Sequence, residues 1–336
     1  MWIPRDFDQQ HLDSLLSEQF GVISRSQLLA CGMTRSAIQH LTRPDGPWLR
    51  LLPAIYAKDA QITTDRRVMA ARLYAGPAAV ITGGYAVRHY RLQASGPTVV
   101  DVLVPGDVRR LSSGFVRLIR TSRMPELTYR MGPIRFAGPV RAVADAVRGY
   151  TDIGEARALV CSAVQHPLMC PFAELAAELS EGPSQGSLLL RRSLRDVARG
   201  IWSAAEGDLM DLIHTSDIEQ PEYNVALYAE DGTPLGIVDA WWQRAGVAAE
   251  VDSLEHHFKN KEDREHTMER HNRITRRLVT LLHFTPLRIK SDGAGILDDL
   301  RIAIAEGRSR PPLPIHGEPK RAVGAKGTLH SAGRVG

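Results

Sequence analysis

Two apolar runs near the C-terminus, joined by a short polar turn, constrain this chain more than any other feature because of the acids they carry. Residues 235–242 (Leu-Gly-Ile-Val-Asp-Ala-Trp-Trp) read as one strand and residues 247–252 (Val-Ala-Ala-Glu-Val-Asp) as the next, with residues 243–246 as the turn. With Arg244 and Ala245 as the two loop residues, Gln243 faces Gly246, and counting outward sets Asp239 opposite Glu250. Alternation along a strand puts Asp252 on the face of Glu250. Directly opposed positions hold their Cβ atoms about 4.5–5.5 Å apart. Two carboxylates that close repel unless one is protonated or a cation lies between them. Oxygen-only ligands suit Mg2+ or Mn2+ better than zinc. A solvated acidic strand face is the alternative, and the apolar neighbours Ile237, Val238, Trp241, Val247 and Val251 argue instead for partial burial.

The chain's 336 residues are enough for two or three domains, and 43% hydrophobic with 24% charged residues is ordinary for a globular protein. No apolar run approaches the roughly 18 residues of a membrane span, and the N-terminus shows no signal peptide. Cys31, Cys161 and Cys170 are odd in number and far apart, which implies neither a disulfide framework nor a zinc site and fits a reducing cytoplasm. The net charge of +4 hides an asymmetry. Residues 59–150 carry 14 Arg, no Lys and 6 acids, whereas residues 201–308 carry 12 bases and 20 acids. A basic middle beside an acidic region suits a protein that holds a polyanion in one place and acts on it in another. Scattered Arg can equally be a compositional bias.

Residues 8–58 read as three short helices and a ribbon. Residues 11–20 show helical apolar spacing and stop at Gly21. Ser24 is placed to cap a helix over 25–30, and Thr34 one over 35–41. Residues 48–56 read as two short strands bent at Pro53. That order is a winged helix-turn-helix, in which the third helix enters the major groove of double-stranded DNA. Arg35, Ser36, Gln39 and His40 would then point at DNA, with Arg50 and Lys58 flanking on the wing. A plain three-helix bundle gives much of the same pattern.

Residues 59–150 form a basic α+β middle domain, with a helix over 65–74, strands over 99–104, 114–119 and 134–136, and a helix over 139–147. His89 and Asp101 stand isolated there and read as structural. Residues 151–200 read as a helical connector. Residues 201–308 form a further unit: helix 201–213, the hairpin, a polar basic helix over about 260–278, strand 279–284 and helix 294–305. Residues 309–336 are Pro-, Gly- and base-rich, and are expected to be a disordered tail. The fold class expected is therefore α/β multidomain.

The series Glu206, Asp239-Ala-Trp-Trp, Ala-Glu250-Val-Asp252-Ser, His257 and residues 281–286 (Leu-Leu-His-Phe-Thr-Pro) resembles the very-short-patch-repair-like branch of the PD-(D/E)XK nuclease superfamily. Residues 21–29 with Ala54-Ile-Tyr56 resemble the winged-helix domain of AbiEi-type antitoxins and transcriptional regulators. The first resemblance implies a restriction-endonuclease-like α/β core that hydrolyses phosphodiesters with Mg2+. It makes Asp239 and Glu250 the metal-binding acids, Glu206 the acid of the preceding helix, and His257 the histidine after the second strand. The ion would activate a water and screen phosphate charge, with His257 helping to position or deprotonate that water. Asp252 stands where many of these nucleases have Lys, and Ser253 where the branch usually has Gly. Asp252 is then a third metal ligand, or the fold persists without activity. A metal-dependent DNA nuclease is the leading expectation. A non-cleaving regulator or antitoxin, with a possible toxin partner, and an RNA-directed nuclease are its rivals.

Overall fold

The computed structural model describes residues 7–59, 61–94, 96–252 and 261–320. The chain divides into two compact units, Met1–Gly149 and Tyr150–Gly336. Among the described residues no helix is long and apolar enough to cross a membrane.

The first unit begins with α1 (Gln9–Glu18), β1 (Val22–Ser24), α2 (Arg25–Ala30), α3 (Arg35–Leu41), β2 (Leu49–Leu52) and β3 (Ile55–Ala57). The expected caps form. Ser24 makes a reciprocal capping box with Gln27, and the Ala37 N–H donates to Thr34 Oγ1 at 3.2 Å. The reversal at Pro53 is completed by Ala54 in the left-handed region, φ +65°. β3 pairs with both β2 and β1, giving a three-stranded sheet in the order β1-β3-β2. Leu12, Leu16, Ile23, Leu28, Ile38 and Trp48 fill the core beneath it.

The rest of this unit runs α4 (Thr64–Ala75), β4 (Val80–Thr82), α5 (Gly83–His89), β5 (Val100–Pro105), β6 (Val116–Thr121), β7 (Thr128–Met131), β8 (Ile134–Ala137) and α6 (Pro139–Val147). Its mixed sheet has the order β6-β5-β4-β8-β7. Asp101 is not isolated, as the sequence suggested: Arg117 donates to both its carboxylate oxygens, at 2.5 and 2.8 Å. Buried Asp145 likewise accepts from Thr82, Arg141 and Arg148. His89 stacks on Phe136. Much of the Arg surplus between residues 59 and 150 is thus engaged in ion pairs and carbonyl contacts within the unit.

The second unit opens with α7 (Ile153–Val164), α8 (Phe172–Glu181), α9 (Leu188–Ala198) and α10 (Ala204–His214). α7 packs on both α9 and α10. It continues with β9 (Glu222–Ala229), β10 (Pro234–Trp242), β11 (Val247–Val251), α11 (Lys261–Thr275), β12 (Thr280–Phe284), α12 (Pro286–Ser291), α13 (Gly293–Arg308) and β13 (Ile315–Pro319). The sheet order is β12-β11-β10-β9-β13. β9, β10 and β11 form an antiparallel meander, and β12 returns parallel to β11. One face packs on α10, α12 and α13 through Leu209, Ile213, Trp242, Phe284, Ile296 and Leu300. The other carries Val225, Leu227, Val238, Trp241 and Ala248, closed by Ile274 of α11.

Three expectations need correction. β9 went unread because residues 222–229 hold one β-branched residue, Val225, among Glu, Asn and Ala, which are depleted in strands. The hairpin turn is residues 243–246 as expected, but Gln243 and Gly246 do not pair across a two-residue loop: Trp242↔Val247 is the last pair and Gly246 takes φ +61°. The register is nonetheless the expected one, Ala240↔Ala249, because widening a loop evenly about its centre changes no pairing. The tail does not begin at 309. Residues 315–319 extend the sheet as β13, antiparallel to β9, with Ile315 buried. Residues 321–336 lie outside the described residues. Cys31, Cys161 and Cys170 are free and buried, and burial pushes the Cys161 and Cys170 thiols up to about 12.

Candidate metal centre and nucleic-acid face

The meander gathers the acids at one place. Glu250, near the end of β11, is only 4% exposed, and alternation turns it toward α11 while Ala249 and Val251 face the other side. Its Oε2 accepts from Arg270 Nη2 at 2.8 Å and lies 2.9 Å from His271 Nε2. Its Oε1 is buried and has no hydrogen-bond partner among the described residues. Arg270 also donates to the Ile237 carbonyl at 2.9 Å. This approach requires glycine at 236, where a Cβ would sit 2.8 Å from Arg270 Cγ and 3.0 Å from Ile274 Cδ1.

Asp239 occupies an irregular point of the sheet. Val238 faces α11, but Ala240 packs on the α10 side, and the partner strand takes φ +50° at Asn224. Asp239 Oδ2 accepts the Val251 N–H at 2.7 Å, which ties it to β11 beside Glu250. Glu206, in the first turn of α10, accepts the Trp202 N–H at 2.9 Å. Asp252 follows β11, and its Oδ2 lies 3.1 Å from His283 Nδ1. His283 is the register partner of Glu250 on β12, and its ring centroid is 4.5 Å from that of His271.

Burial dominates the electrostatics of this group. It pushes Glu206 up to about 7, with the charge of Asp239 adding to the effect. Glu250 is also pushed up to about 7 by burial, against the pull of Arg270, with Asp239 and Asp252 raising it further. Asp239 is raised by burial, against the Val251 N–H bond and Arg270. A carboxylate raised in the folded state contributes stability below its unfolded pKa and loses it as pH climbs through the folded value. Metal-free wild type should therefore lose stability relative to Glu206→Gln between pH 5 and pH 8, by roughly 2 kcal/mol. Melting curves of the two proteins across that range test this, and a constant offset would contradict it.

The sequence placed a metal on Asp239, Glu250 and Asp252. Among the described residues, the donors that come within 4.8 Å of one another are those of Glu250, His271 and His283. Only Glu250 is common to both sets. Asp252 stands behind His283, and Asp239 neighbours the group electrostatically. His257 lies outside the described residues. The sequence reading missed Arg270, His271 and His283. Ile274 is a buried residue of a polar helix, and Arg270 lies one turn before it on the same face. His283 follows from pairing residues 279–284 parallel to β11 and applying strand alternation. Glu250, His271 and His283 could hold a metal ion, and the unpartnered buried Oε1 of Glu250 fits one.

In the first unit Arg35, Ser36, Gln39 and His40 are exposed on α3, and Arg50 and Lys58 are exposed on and beside the β2–β3 hairpin. Arg43 Nη1 lies 3.3 Å from His40 Nδ1. A cavity of about 750 Å3 opens next to this helix, and Leu12, Leu16, Ala37 and Trp48 line it together with Ser36 and His40.

The chain matches no family model and no curated protein.

Proposed function

We propose that this chain is a DNA-binding protein whose second unit is a divalent-metal-dependent phosphodiesterase of the PD-(D/E)XK type, with Mg2+ or Mn2+ as its ion. The observation that carries the reading is the grouping of Asp239, Glu250 and Asp252 with Arg270 and two histidines on one small mixed sheet flanked by helices, with Glu206 of α10 feeling the charge of Asp239. The resemblance implies such a core, and it implies three of these acids, Glu206, Asp239 and Glu250; Asp252 stands where many of these nucleases have Lys. A bound divalent ion would lower the pKa of a water and screen phosphate charge. Glu250 offers its unpartnered Oε1 as the anchoring oxygen. Arg270 places a fixed positive charge beside Glu250. Glu206, pushed up to about 7, can take or give a proton near neutral pH.

DNA binding rests on the winged-helix order of the first unit and on the exposed α3 side chains. Replacing Arg35 and Gln39 together by Ala should weaken duplex binding at least about tenfold, and affinity should fall as salt rises. Unchanged binding in a titration would remove α3 as the reading helix.

One observation favours a second reading. Glu250 Oε2 is already engaged by Arg270 and His271, an ion pair that lessens the need for a metal. In that case the protein is a cytoplasmic regulator or antitoxin that binds DNA, or a toxin partner, without cutting. Supercoiled plasmid incubated with purified protein separates the two. Nicking that needs Mg2+ or Mn2+, stops with EDTA and disappears in Asp239→Asn supports the phosphodiesterase. Tight binding with intact DNA under every metal supports the regulator.

A further inference from the structure

We propose that Glu250, His271 and His283 hold a nitrogen-preferring first-row transition-metal ion, with Zn2+ bound more tightly than Mn2+ and Mg2+ the weakest of the three. This rests on the cluster being a cation site and goes on to name the class of ion.

The donor chemistry carries it. Mg2+ takes oxygen ligands and keeps its waters, whereas imidazole suits Zn2+ and the other first-row ions. The donors that converge are one carboxylate and two imidazoles, not the three carboxylates that the sequence suggested. Three protein ligands leave positions open, the pattern of reactive rather than structural zinc sites.

The surroundings fit metal ligation as well. His283 presents Nδ1 to the Asp252 carboxylate at 3.1 Å. A carboxylate only accepts, so neutral His283 carries its proton on Nδ1 and leaves its Nε2 lone pair open; by the same rule neutral His271 donates from Nε2 to Glu250, and an ion bound through that nitrogen displaces the proton. A carboxylate behind a ligating imidazole fixes its tautomer and orientation. Glu250 is 4% exposed, and its Oε1 has no partner among the described residues. Both imidazoles are partly open, with side chains 24% and 31% exposed, so an ion can reach them. Zinc–nitrogen bonds of about 2.0–2.1 Å in tetrahedral geometry require donors now up to 4.8 Å apart to close by roughly 1.5 Å. Partly exposed side chains can make that movement.

The test is calorimetric titration of the full chain, stripped with chelator, with ZnCl2, MnCl2 and MgCl2. Wild type is compared with His271→Ala, His283→Ala and Glu250→Gln. The chain has 12 histidines and so carries weak surface sites; the difference between wild type and variants is therefore the readout. Wild type should bind one Zn2+ on the order of a hundredfold more tightly than Mg2+. Each histidine variant should lose at least about tenfold in Zn2+ affinity with its Mg2+ response unchanged. Co2+ gives an independent signature: visible absorption bands in wild type that disappear in His283→Ala. His283→Gln, which keeps a polar side chain of similar size, guards against a folding defect in the alanine variant. Mg2+ affinity within tenfold of Zn2+, or unchanged Zn2+ affinity in both histidine variants, overturns the proposal. If Glu250→Gln then still abolishes Mg2+ binding and Mg2+-dependent nicking, the cation-site reading survives without it. Absence of saturable binding by any of the three ions removes both.

Discussion

Truncation after Arg308 should lower the melting temperature by roughly 10 °C or drive the protein into aggregates. The removed segment contains β13, which covers the outer edge of β9 from Ile315↔Ala229 to Pro319↔Val225. It also removes the buried Ile315 side chain, and Leu313, which packs against Gly246. Gln243 loses two partners: its Nε2 donates to the Ile315 carbonyl at 2.7 Å, and its Oε1 accepts the Gly317 N–H at 3.2 Å. Deleting one large buried aliphatic side chain alone costs about 2–5 kcal/mol, and a protein of this size loses about 2–4 °C for each kcal/mol. The uncovered β9 would then be an open edge strand, a template for aggregation. Truncation after Lys320 is the control. Residues 321–336 are rich in Gly and basic residues, a composition that buries no core, and their loss should leave the melting temperature unchanged. An unchanged melting temperature after the longer truncation would show that β13 contributes nothing to the sheet.

Replacing Arg157 by Met should cost a similar amount, about 3–5 kcal/mol. Arg157 is fully buried between α7, α9 and α10. Its Nε donates to Asp196 Oδ2 at 2.9 Å, and its Nη1 lies 2.7 Å from Asp211 Oδ2. Gly207 permits this approach, because a Cβ there would sit 2.7 Å from Arg157 Cδ. Without the guanidinium, Asp196, whose side chain is 6% exposed, loses its hydrogen-bonded counterion and keeps only the more distant charge of Arg192. Adding Asp196→Asn to Arg157→Met should recover part of the loss. Denaturant titration of the two variants tests this, and an additive or larger loss in the double variant would contradict it. α10 carries Glu206, so the single variant should also disturb the acidic cluster.

How much of this was legible in the sequence depended on whether the signal was local. The caps at Ser24 and Thr34, the α3 boundaries and the β10–β11 register all follow from neighbouring residues. The register survived even though the loop was misread, because only the loop's centre sets which residues face each other. The carboxylate cluster was legible for the same reason: Asp239, Glu250 and Asp252 lie within one hairpin. What failed was long-range. β13 joins the sheet through a partner more than eighty residues away, Ala229 for Ile315, and Pro- and Gly-rich composition hid its one buried side chain. His283 and Arg270 reach Glu250 only once β12 and α11 return across the sheet. Their types gave no warning, since a basic residue on a polar helix ordinarily faces water.

The most direct test of the central claim, that the buried Glu250 carboxylate is built to receive a cation, is the melting temperature at pH 8 of wild type and Glu250→Gln, each with and without Mn2+. At that pH Glu250, pushed up to about 7 by burial, is ionised in an environment that disfavours its charge. Mn2+ should stabilise wild type by several degrees, since an ion that binds only the folded state stabilises it by mass action. Metal-free Glu250→Gln should melt at or above metal-free wild type, because the amide keeps a hydrogen-bonding group without the buried charge, and it should not respond to Mn2+. An equal response to Mn2+ in the two proteins, or a metal-free Glu250→Gln far less stable than wild type, would show that Glu250 serves only its ion pair with Arg270 and that no cation site is built on it.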